Sequence, residues 1–369
     1  MRGFGLLQHA GDHQSYSAGQ VIFKEGQSGD VMYVVIDGEV SVTVEGRPID
    51  YLKAGSVLGE MALVDDRPRS ATATAATDCK LVLINHERFA TLVQQFPDFA
   101  IQVMNTMSFR LRRLLDEEIK RQRLEEELAI GRQIQLSLLP ARFPEIRGWE
   151  FAAVYRAARQ VGGDLYDFIT SSDDPGHVSI VIADVTGKGI PAALFMAFSR
   201  TIIRAESRTG RSPAALLQQV NQFILQDIHY RLFLSAFYAM LESDSGRLVY
   251  ANGGHDRPLW RHAGSGEIET LSAAGLLLGV FQNVRLEERE ITVAPGDLLI
   301  FYTDGVTEAR NASGELFGEE RLRETIAAAP ASNAGELVDA VVTAVEDFTD
   351  ATPQIDDFTL VVVKRHESP

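Results

Sequence analysis

The sequence predicts an α+β protein of several domains: a small β-barrel or jelly-roll domain, a long linker helix and an αββα sandwich. Three observations lead to this fold class. Short apolar runs separated by glycines fill the first quarter of the 369 residues, as is typical of small antiparallel β domains. A charged stretch of strongly helical character follows. In the remaining part strands outnumber helices and the helices come in pairs, which favours two sheets flanked by helices over a doubly wound parallel sheet.

The composition excludes several classes of protein. Hydrophobic residues make up 45% and charged residues 23%, as in ordinary soluble globular proteins. The net charge of −16 argues against nucleic acid as a partner, because duplex binding relies on basic surfaces. No apolar run approaches the ~20 residues of a membrane helix, and residues 1–13 hold too short an apolar segment for a secretory signal. The single cysteine, Cys79, excludes an internal disulfide and a cysteine-rich zinc site, so we expect a reduced, cytoplasmic protein.

Residues 55–75 carry the polar groups of a candidate ligand site. Gly59 allows the backbone to approach a ligand closely. Residues 60–64 predict a single helical turn, whose free N–H groups suit a phosphate. Arg69 lies just before a short alternating strand. A guanidinium binds a phosphate through two hydrogen bonds, and a carboxylate such as that of Glu60 accepts from a sugar hydroxyl. The alternative is that Arg69 and Glu60 form a solvated pair on a loop.

This first stretch resembles the cyclic nucleotide-binding domain family. The matching residues are Gly29-Asp30, Gly38-Glu39, the GEMAL segment at 59–63 and Arg69-Ser70-Ala71. The resemblance implies a β-barrel or jelly-roll sensor domain over residues 1–98. It also implies that Arg69 holds the cyclic phosphate and Glu60 the ribose 2′-hydroxyl. Gly59, Met61 and Ser70 complete the implied ligand-binding set, and the choice between cyclic AMP, cyclic GMP and no ligand stays open.

Residues 99–139 predict a long amphipathic helix, preceded by a break at Pro97 and closed by Pro140. An apolar stripe runs along it at Leu111, Leu115, Ile119, Leu124 and Leu128. The spacing drifts from a strict heptad. A stripe of this kind between two domains favours a dimer seam and a signal-carrying rod, so we expect a homodimer. The alternative is a solvated spacer helix that packs on its own domains. No helix-turn-helix pattern follows it.

Residues 140–369 form the predicted third domain. Six strands are predicted, at residues 149–157, 177–184, 235–241, 248–251, 298–302 and 358–364. Four helices are predicted, at residues 191–207, 213–227, 319–329 and 334–348. Pro191 and Pro213 each stand where the first turn of a helix needs no N–H, and Ser212 is suited to cap the second helix.

Aspartates mark the ends of these strands. They are Asp164 in VGGDLYD, Asp184 after the apolar run 178–183, Asp304 in FYTDGVTE, and Asp356 and Asp357 in QIDDFTL. A single aspartate in such a position is most often a turn former or a cap. Four such places, with no basic residue directly beside them, predict a convergence whose repulsion a hard divalent cation with oxygen ligands would relieve. Because HExxH and paired cysteines are absent, zinc is disfavoured.

The same stretches resemble the metal-dependent protein phosphatases of the PPM type, in the SpoIIE-like branch that acts on regulators of sigma factors. The matching segments are ELAIGRQIQLSLLP at 127–140, VGGDLYD, ADVTGKGIPAAL, NGGHDRP at 252–258, FYTDGVTEA and DDFTLVVV. The resemblance implies a centre of two Mn²⁺ or Mg²⁺ ions that hydrolyses phosphoserine or phosphothreonine. By motif position Asp184 bridges both ions, Asp304 and Asp356 join it on one, and Asp164 and the Val185 carbonyl serve the other. Asp184 and Asp164 are the implied catalytic residues, and the nucleophile is a metal-activated water.

Several positions stay open. The family pattern favours Asp356 over Asp357 as the ligand. The eukaryotic branch of the family has a histidine where this chain has Thr186, so the leaving-group acid is unassigned, with a metal-bound water as one alternative. Lys188 is a candidate phosphate contact, although GKG alone is not a phosphate loop. His255 is a candidate site residue, with a turn or packing role as the alternative.

The sequence therefore predicts a metal-dependent protein serine/threonine phosphatase that a cyclic nucleotide controls through the linker helix. The resemblance implies a phosphorylated anti-sigma-factor antagonist as the substrate, with the opposing kinase on a separate chain. The alternative is a catalytically weak scaffold, in which the phosphatase-like fold binds a phosphoprotein without turning it over. A shift of the helix at 191–207 would move the turn that follows Asp184, which gives such control a physical route.

Overall fold

The computed structural model describes residues 13–63, 67–171, 174–227, 232–330, 332–350 and 352–367. The chain divides into two compact units, the first ending at Arg123 and the second beginning at Leu124. Each unit has hydrophobic cores of its own. None of the helices within the described ranges has the length and apolar character that a bilayer span demands.

The first unit contains a sandwich of two four-stranded antiparallel sheets. Its strands are β1 (His13–Tyr16), β2 (Val21–Phe23), β3 (Val31–Asp37), β4 (Glu39–Val44), β5 (Arg47–Lys53), β6 (Val57–Leu58), β7 (Thr72–Ala75) and β8 (Cys79–Asn85). One sheet has the order β1-β8-β3-β6 and the other the order β2-β7-β4-β5. Val35 and Leu81 of the first sheet share a core with Val40 and Ala73 of the second. No strand pairing among the described residues closes the sheets into a barrel, so the barrel form of the prediction is wrong, whereas the two packed sheets agree with its jelly-roll form.

A short 3-10 turn, Glu60–Leu63, lies between β6 and β7. It stands where the sequence predicts a single helical turn over residues 60–64. Residue 64 lies outside the described residues.

Two helices follow the first sandwich. Asn85 caps α1 (His86–Gln95), because its side-chain oxygen accepts from the amide of Arg88 at 2.9 Å. Pro97 then opens α2 (Pro97–Leu138), a helix of 42 residues, at a position where its missing N–H costs no hydrogen bond. The predicted helix over 99–139 is therefore present and begins two residues earlier.

The apolar stripe of α2 is exposed to solvent. Phe99 and Val103, near the start of the helix, are buried in a core with residues of the first sandwich. Farther along, the apolar side chains stay about half exposed: Leu111 58%, Leu115 52%, Ile119 46% and Leu124 52%. Such a continuous exposed stripe is unusual for a folded chain, because single exposed apolar residues are common but rows of them usually mark an interface.

The second unit is an αββα sandwich. Its strands are β9 (Trp149–Arg156), β10 (Leu165–Ser171), β11 (Asp174–Val185), β12 (Leu234–Glu242), β13 (Arg247–Gly253), β14 (Leu259–Arg261), β15 (Ile268–Thr270), β16 (Glu288–Thr292), β17 (Leu298–Tyr302) and β18 (Phe358–Arg365). Its helices are α3 (Ile190–Ser207), α4 (Pro213–Asp227), the single turn α5 (Asp304–Thr307), α6 (Gly318–Ala328) and α7 (Ala334–Thr349). The sheets have the orders β10-β11-β12-β13-β16 and β15-β14-β17-β18-β9, with every pair antiparallel.

Three layers of core hold this sandwich together. Phe237 of one sheet meets Phe301 of the other in the central core, with ring centroids 5.7 Å apart. The helices α3 and α4 cover the outer face of the first sheet, and α6 and α7 cover the outer face of the second. The inner strand β11 is buried from Val178 to Ala183, as expected for an apolar run with a packed layer on each side.

All six predicted strands and all four predicted helices of this unit are present, with ends within a few residues. Four strands escape the sequence-based prediction: β10, β14, β15 and β16. β14 and β15 have three residues each, β16 has five and β10 has seven. Strands this short carry little periodicity.

Candidate metal centre and candidate nucleotide site

The antiparallel pairing brings the predicted aspartates to one end of the sandwich. Asp164 directly precedes β10, and Asp184 is close to the end of its neighbour β11, where Leu165 pairs with Ala183. In the other sheet Asp304 follows β17, and Asp356 precedes β18. Because antiparallel neighbours run in opposite directions, the start of one strand lies beside the end of the next.

Asp164 is the most deeply buried of these acids. Its side chain is 1% exposed, and its Oδ2 accepts hydrogen bonds from the hydroxyls of Thr303 at 2.7 Å and Thr359 at 2.6 Å. Burial raises the pKa of Asp164 well above its ordinary value, and the charges of Asp184 and Asp357 raise it further. The two threonine hydroxyls oppose that rise and fix the orientation of the carboxylate.

Asp184 and Asp304 continue the chain of like charges. Burial, and then the charge of Asp304, raise the pKa of Asp184 from 3.8 to about 7, while a hydrogen bond with Asp164 partly offsets the rise. Burial, and then the charge of Asp356, raise the pKa of Asp304 from 3.8 to about 6. The four carboxylates are therefore close enough to repel one another, which is the condition that a bound cation relieves.

The Val185 carbonyl faces a gap that only glycine leaves open. A Cβ atom on Gly163 would lie 2.9 Å from the Val185 carbonyl oxygen, closer than such atoms approach in proteins. The loop that carries Asp164 therefore passes beside this carbonyl because residue 163 has no side chain. The next residue, Thr186, bonds the backbone of Phe233: its hydroxyl donates to the carbonyl at 3.1 Å and accepts from the amide at 3.0 Å.

Asp356 and Asp357 have different surroundings. Asp357 is 8% exposed, and its carboxylate accepts from the amides of Ala158 at 2.8 Å and Gly163 at 2.5 Å. It therefore fixes the loop that leads to Asp164. Asp356 makes no such contacts to that loop; its Oδ2 accepts from Lys188 Nζ at 2.7 Å, with the two side chains about one third exposed.

Lys188 spans from the turn after Asp184 to the segment before β18. Its ammonium group donates to Asp356 and also to the carbonyl of Ile355, again at 2.7 Å. A cation of the protein itself therefore neutralises one of the acids.

The donor set fits a hard divalent ion, although the carboxylates are not gathered around a single point. Carboxylate and peptide oxygens are the ligands that Mg²⁺ and Mn²⁺ prefer. Within the described part of the chain, no three acidic, histidine or cysteine side chains already stand in a metal-holding group. Asp164 is held by two threonines and Asp356 is paired with Lys188, so metal binding at Asp356 has to break its ion pair with Lys188.

The candidate nucleotide site lies in the first unit. Arg69 is 7% exposed and donates to the carbonyls of Gly59 at 3.0 Å and Val31 at 2.6 Å, and its guanidinium stacks 4.4 Å from the ring centre of Phe23. Burial lowers the pKa of Arg69. No carboxylate lies within ion-pair distance of it among the described residues, although the more distant charges of Asp30 and Glu60 partly oppose the lowering of its pKa.

Glu60 is also buried, at 6% exposure. Its Oε1 accepts from Arg110 Nη1 at 2.5 Å, and Nη2 of the same arginine donates to the Val57 carbonyl at 2.7 Å. Glu60 therefore pairs with a residue of α2 and not with Arg69, and neither residue is solvated as the loop-pair alternative would have it. Met61 is 51% exposed, and Ser70 lies beside it, with 3.9 Å between Oγ and Sδ.

Comparison with known proteins identifies both parts of the chain. A family model described as Stage II sporulation protein E (SpoIIE) matches residues 174–366, more than half of the chain. The chain belongs to the SpoIIE family. A second model, described as Cyclic nucleotide-binding domain, matches residues 13–96, so this SpoIIE protein carries a cyclic nucleotide-binding domain ahead of its second unit.

Two curated relatives and one solved structure illustrate the likeness. The phosphoserine phosphatase RsbU of Bacillus subtilis is 30% identical over 268 residues, which are 73% of this chain and 78% of RsbU. Protein IcfG of Synechocystis is 30% identical over 287 residues, 70% of this chain but only 45% of IcfG. The SiaA-PP2C domain of Pseudomonas aeruginosa superposes with a TM-score of 0.59 at 21% identity, covering 66% of this chain and 98% of that one. At that identity the structural likeness shows the fold.

Three residues of the SpoIIE unit stand out in the structure that sequence reasoning did not single out. Thr303 and Thr359 hold Asp164. Gln135, near the end of α2, is 5% exposed and bonds Gly162 twice. Each lies inside a quoted motif, so their positions were in view, but their roles depend on contacts across 27 to 195 residues of chain.

Asp167, the second acid of VGGDLYD, is not one of the candidate metal ligands. It is 1% exposed and lies 3.0 Å from Arg200 Nη2 and 3.4 Å from Arg204 Nε, both on α3. This pair ties the helix to β10, and burial raises the pKa of Asp167 despite the two guanidinium groups. The acid therefore serves the packing of α3.

His255 is connected to the candidate ligand Asp184 through one intervening side chain, that of Ser235. Its Nδ1 is 2.8 Å from Ser235 Oγ, which in turn reaches the backbone carbonyl of Asp184 at 3.4 Å. Asn252 brackets the backbone of His255, accepting from its amide at 2.7 Å and donating to its carbonyl at 2.9 Å. Burial lowers the pKa of His255 to about 4, so the ring is neutral at physiological pH and supports the strand that carries Asp184.

Proposed function

We propose that the protein is a cytoplasmic, Mn²⁺- or Mg²⁺-dependent protein serine/threonine phosphatase under the control of a cyclic nucleotide. The observation that carries the proposal is the set of four repelling carboxylates at one end of an αββα sandwich, in a member of the SpoIIE family. The 30% identity to RsbU, itself a phosphoserine phosphatase, supports phosphoserine in a protein as the substrate.

The proposed ligands follow the geometry of the strand ends. We assign Asp184 to both ion sites, because it forms a hydrogen bond with Asp164 and the charge of Asp304 acts on it. Asp304 and Asp356 complete one ion site, and Asp164 with the Val185 carbonyl completes the other. Two bound divalent ions supply an acidified water and charge balance for the phosphoryl oxygens. The chain needs no nucleophilic serine or cysteine for such a reaction.

The residues around these ligands prepare the site. Thr303 and Thr359 hold Asp164 in place, and Asp357 holds its loop, which limits the reorganisation that ion binding demands. Thr186 is committed to the backbone of Phe233, so we do not assign it as the acid for the leaving group. Lys188 is the cation nearest to the candidate ligands and is free to contact a phosphoryl oxygen once Asp356 binds metal.

The decisive experiment is hydrolysis of p-nitrophenyl phosphate and of a phosphoserine peptide with Mn²⁺. We expect turnover by the wild type and a loss of about 100-fold or more in Asp184→Asn, because the shared ligand contributes to both ions. Asp339→Asn is the matched control, since Asp339 is an exposed aspartate on α7. An unchanged rate in Asp184→Asn would contradict the assignment.

A scaffold that binds a phosphoprotein without hydrolysing it is the second candidate function. It is favoured by the absence of a ready metal-holding group among the described side chains. Calorimetric titration with Mn²⁺ separates the two: binding that Asp184→Asn abolishes supports the phosphatase, and no binding up to millimolar Mn²⁺ supports the scaffold.

The partner of the phosphatase is, in this proposal, a phosphorylated regulator such as an anti-sigma-factor antagonist, and the protein acts as a homodimer. The exposed apolar stripe of α2 supports the dimer, because a second copy of the same stripe would cover it. Sedimentation of the wild type against Leu115→Glu tests this. A wild type that is monomeric at micromolar concentration would contradict the dimer.

The nucleotide-binding role is proposed for Arg69 and Glu60, with Gly59, Met61 and Ser70 around them. The guanidinium of Arg69, which is buried and has no carboxylate within ion-pair distance among the described residues, supports a phosphate partner. We expect Arg69→Ala to abolish binding of cyclic AMP or cyclic GMP, measured by calorimetry. Control of activity requires the wild-type rate to change when the nucleotide is added, by roughly five- to 150-fold for common coupling energies; equal rates would contradict the control.

A further inference from the structure

A cavity of about 200 Å³ adjoins the candidate metal centre. Asp356 and Gly305, the neighbour of Asp304, stand on its rim. Its apolar wall comes from Val342 and Val345 of α7 and from Phe358 of β18. A substrate whose phosphoserine reaches the proposed ion site at Asp304 and Asp356 would therefore place its neighbouring residues beside this cavity.

The charges around the cavity leave one arginine without a partner. Arg156 lines it but is paired with Glu346, with 2.5 Å between Nη1 and Oε1. Glu308 lines it too, and its amide donates to the carbonyl of Asp304 at 2.6 Å, which places it beside that candidate ligand. Arg310 is exposed and makes no ion pair or side-chain hydrogen bond among the described residues.

The backbone at Arg310 is well fixed. The residue forms an isolated bridge with Leu316, and the carbonyl of the preceding residue, Ala309, accepts from Phe317 at 2.8 Å. An exposed guanidinium that has no ion pair among the described residues and sits on a fixed backbone is suited to pair with an acid supplied by another molecule. Arg310 differs from other exposed arginines, such as Arg285, because it lines a cavity beside the candidate metal centre.

We propose that this cavity is a substrate subsite that reads the residues next to the phosphoserine. Its apolar wall takes an apolar side chain, and Arg310 pairs with an acidic side chain of the same segment. This inference rests on the proposed phosphatase function, since it assigns the place of the substrate chain at that centre.

The test compares phosphoserine peptides that differ only in one residue, Glu or Lys, placed in turn at each of the four positions on either side of the phosphoserine. With Mn²⁺, the wild type prefers Glu at one or more positions by about three- to fivefold in kcat/KM, the range of an exposed ion pair. Arg310→Glu inverts that preference toward Lys. Arg285→Glu, which changes an exposed arginine outside the cavity, leaves the preference as it is.

Hydrolysis of p-nitrophenyl phosphate, which has no flanking residues, reports on the reaction centre alone and stays equal in all three proteins. An Arg310→Glu variant with the wild-type peptide preference overturns the subsite. A wild type without preference between Glu and Lys overturns it as well. A wild type that hydrolyses neither the peptides nor p-nitrophenyl phosphate overturns the proposed function itself, and with it the subsite.

Discussion

Gln135 holds the backbone of Gly162 through two hydrogen bonds. Its Nε2 donates to the Gly162 carbonyl at 2.6 Å, and its Oε1 accepts from the Gly162 amide at 3.0 Å. The final turns of α2 are thereby attached to the loop that carries Asp164, two residues farther on. Movement of this end of the helix would therefore displace Asp164, a candidate metal ligand.

Gln135→Ala should weaken metal binding. The substitution leaves a buried N–H and a buried carbonyl without partners, at a cost of about 1–3 kcal/mol each, and frees the Asp164 loop. We expect at least a fivefold loss of Mn²⁺ affinity by calorimetry and a matching fall in p-nitrophenyl phosphate hydrolysis. Gln133→Ala removes an exposed glutamine of the same helix and should change neither. Equal behaviour of the two variants would refute the coupling.

Lys188 should compete with metal for Asp356. Lys188→Met removes the ammonium group that neutralises this carboxylate, so the carboxylate becomes available to Mn²⁺. Because both side chains are partly exposed, the expected gain in Mn²⁺ affinity is about three- to fivefold. Lys188→Arg keeps the charge and should bind Mn²⁺ as the wild type does. Weaker Mn²⁺ binding by Lys188→Met would show that the lysine supports the metal site.

The neighbours Asp356 and Asp357 should respond to substitution in different ways. Asp357→Asn weakens the hydrogen bonds to Ala158 and Gly163 and should lower the free energy of unfolding by about 1–3 kcal/mol. Asp356→Asn should leave stability within about 0.5 kcal/mol of the wild type and lower Mn²⁺ affinity. Urea unfolding and calorimetry measure the two properties on each variant. Exchanged effects would mean that Asp357 is the ligand.

The pH dependence of stability follows from the raised pKa values. In the metal-free protein Asp184 has a pKa of about 7 and Asp304 of about 6, against 3.8 ordinarily. The folded chain therefore keeps protons that the unfolded chain releases, so the stability from these groups is full below about pH 4 and is lost as pH rises through 6 to 7. We expect the Tm of the chelator-treated protein to fall by roughly 5 °C between pH 5.5 and 8.

Two further measurements test the predicted fall of Tm with rising pH. Asp184→Asn removes the carboxyl group with the higher pKa, about 7 against about 6 for Asp304, so its Tm should change less over the same pH interval. Saturating Mn²⁺ should reduce the fall, because metal binds the deprotonated carboxylates that dominate at higher pH. A Tm of the metal-free wild type that rises from pH 5.5 to 8 would contradict the burial of these acids.

The sequence predicts the layers of this protein well because their signals are local. The apolar run 178–183 indicates a strand covered on both faces, and the prolines at 191 and 213 mark helix starts within one residue. The aspartates at strand ends also predict their own convergence. The hydrophobic pattern does not show which strand ends are neighbours, because that depends on how the strands pair.

The contacts that set up the site are not local, and the sequence carries little sign of them. Asp356 and Asp357 are identical neighbours, and only the backbone at 158–163 distinguishes them. Gln133 and Gln135 are likewise the same residue type two positions apart, yet one is exposed and the other buried. The barrel predicted for the first unit is wrong for the same reason. The sequence of a short strand does not show whether its sheet closes into a barrel.

Asp357 fixes the 158–163 loop with a carboxylate of the protein and not with a metal ion. The shape of that loop is therefore independent of the metal supply. Without the proposed ions the protein would therefore keep this loop folded while it is inactive. Activity would return within the time that ions take to bind, without new synthesis.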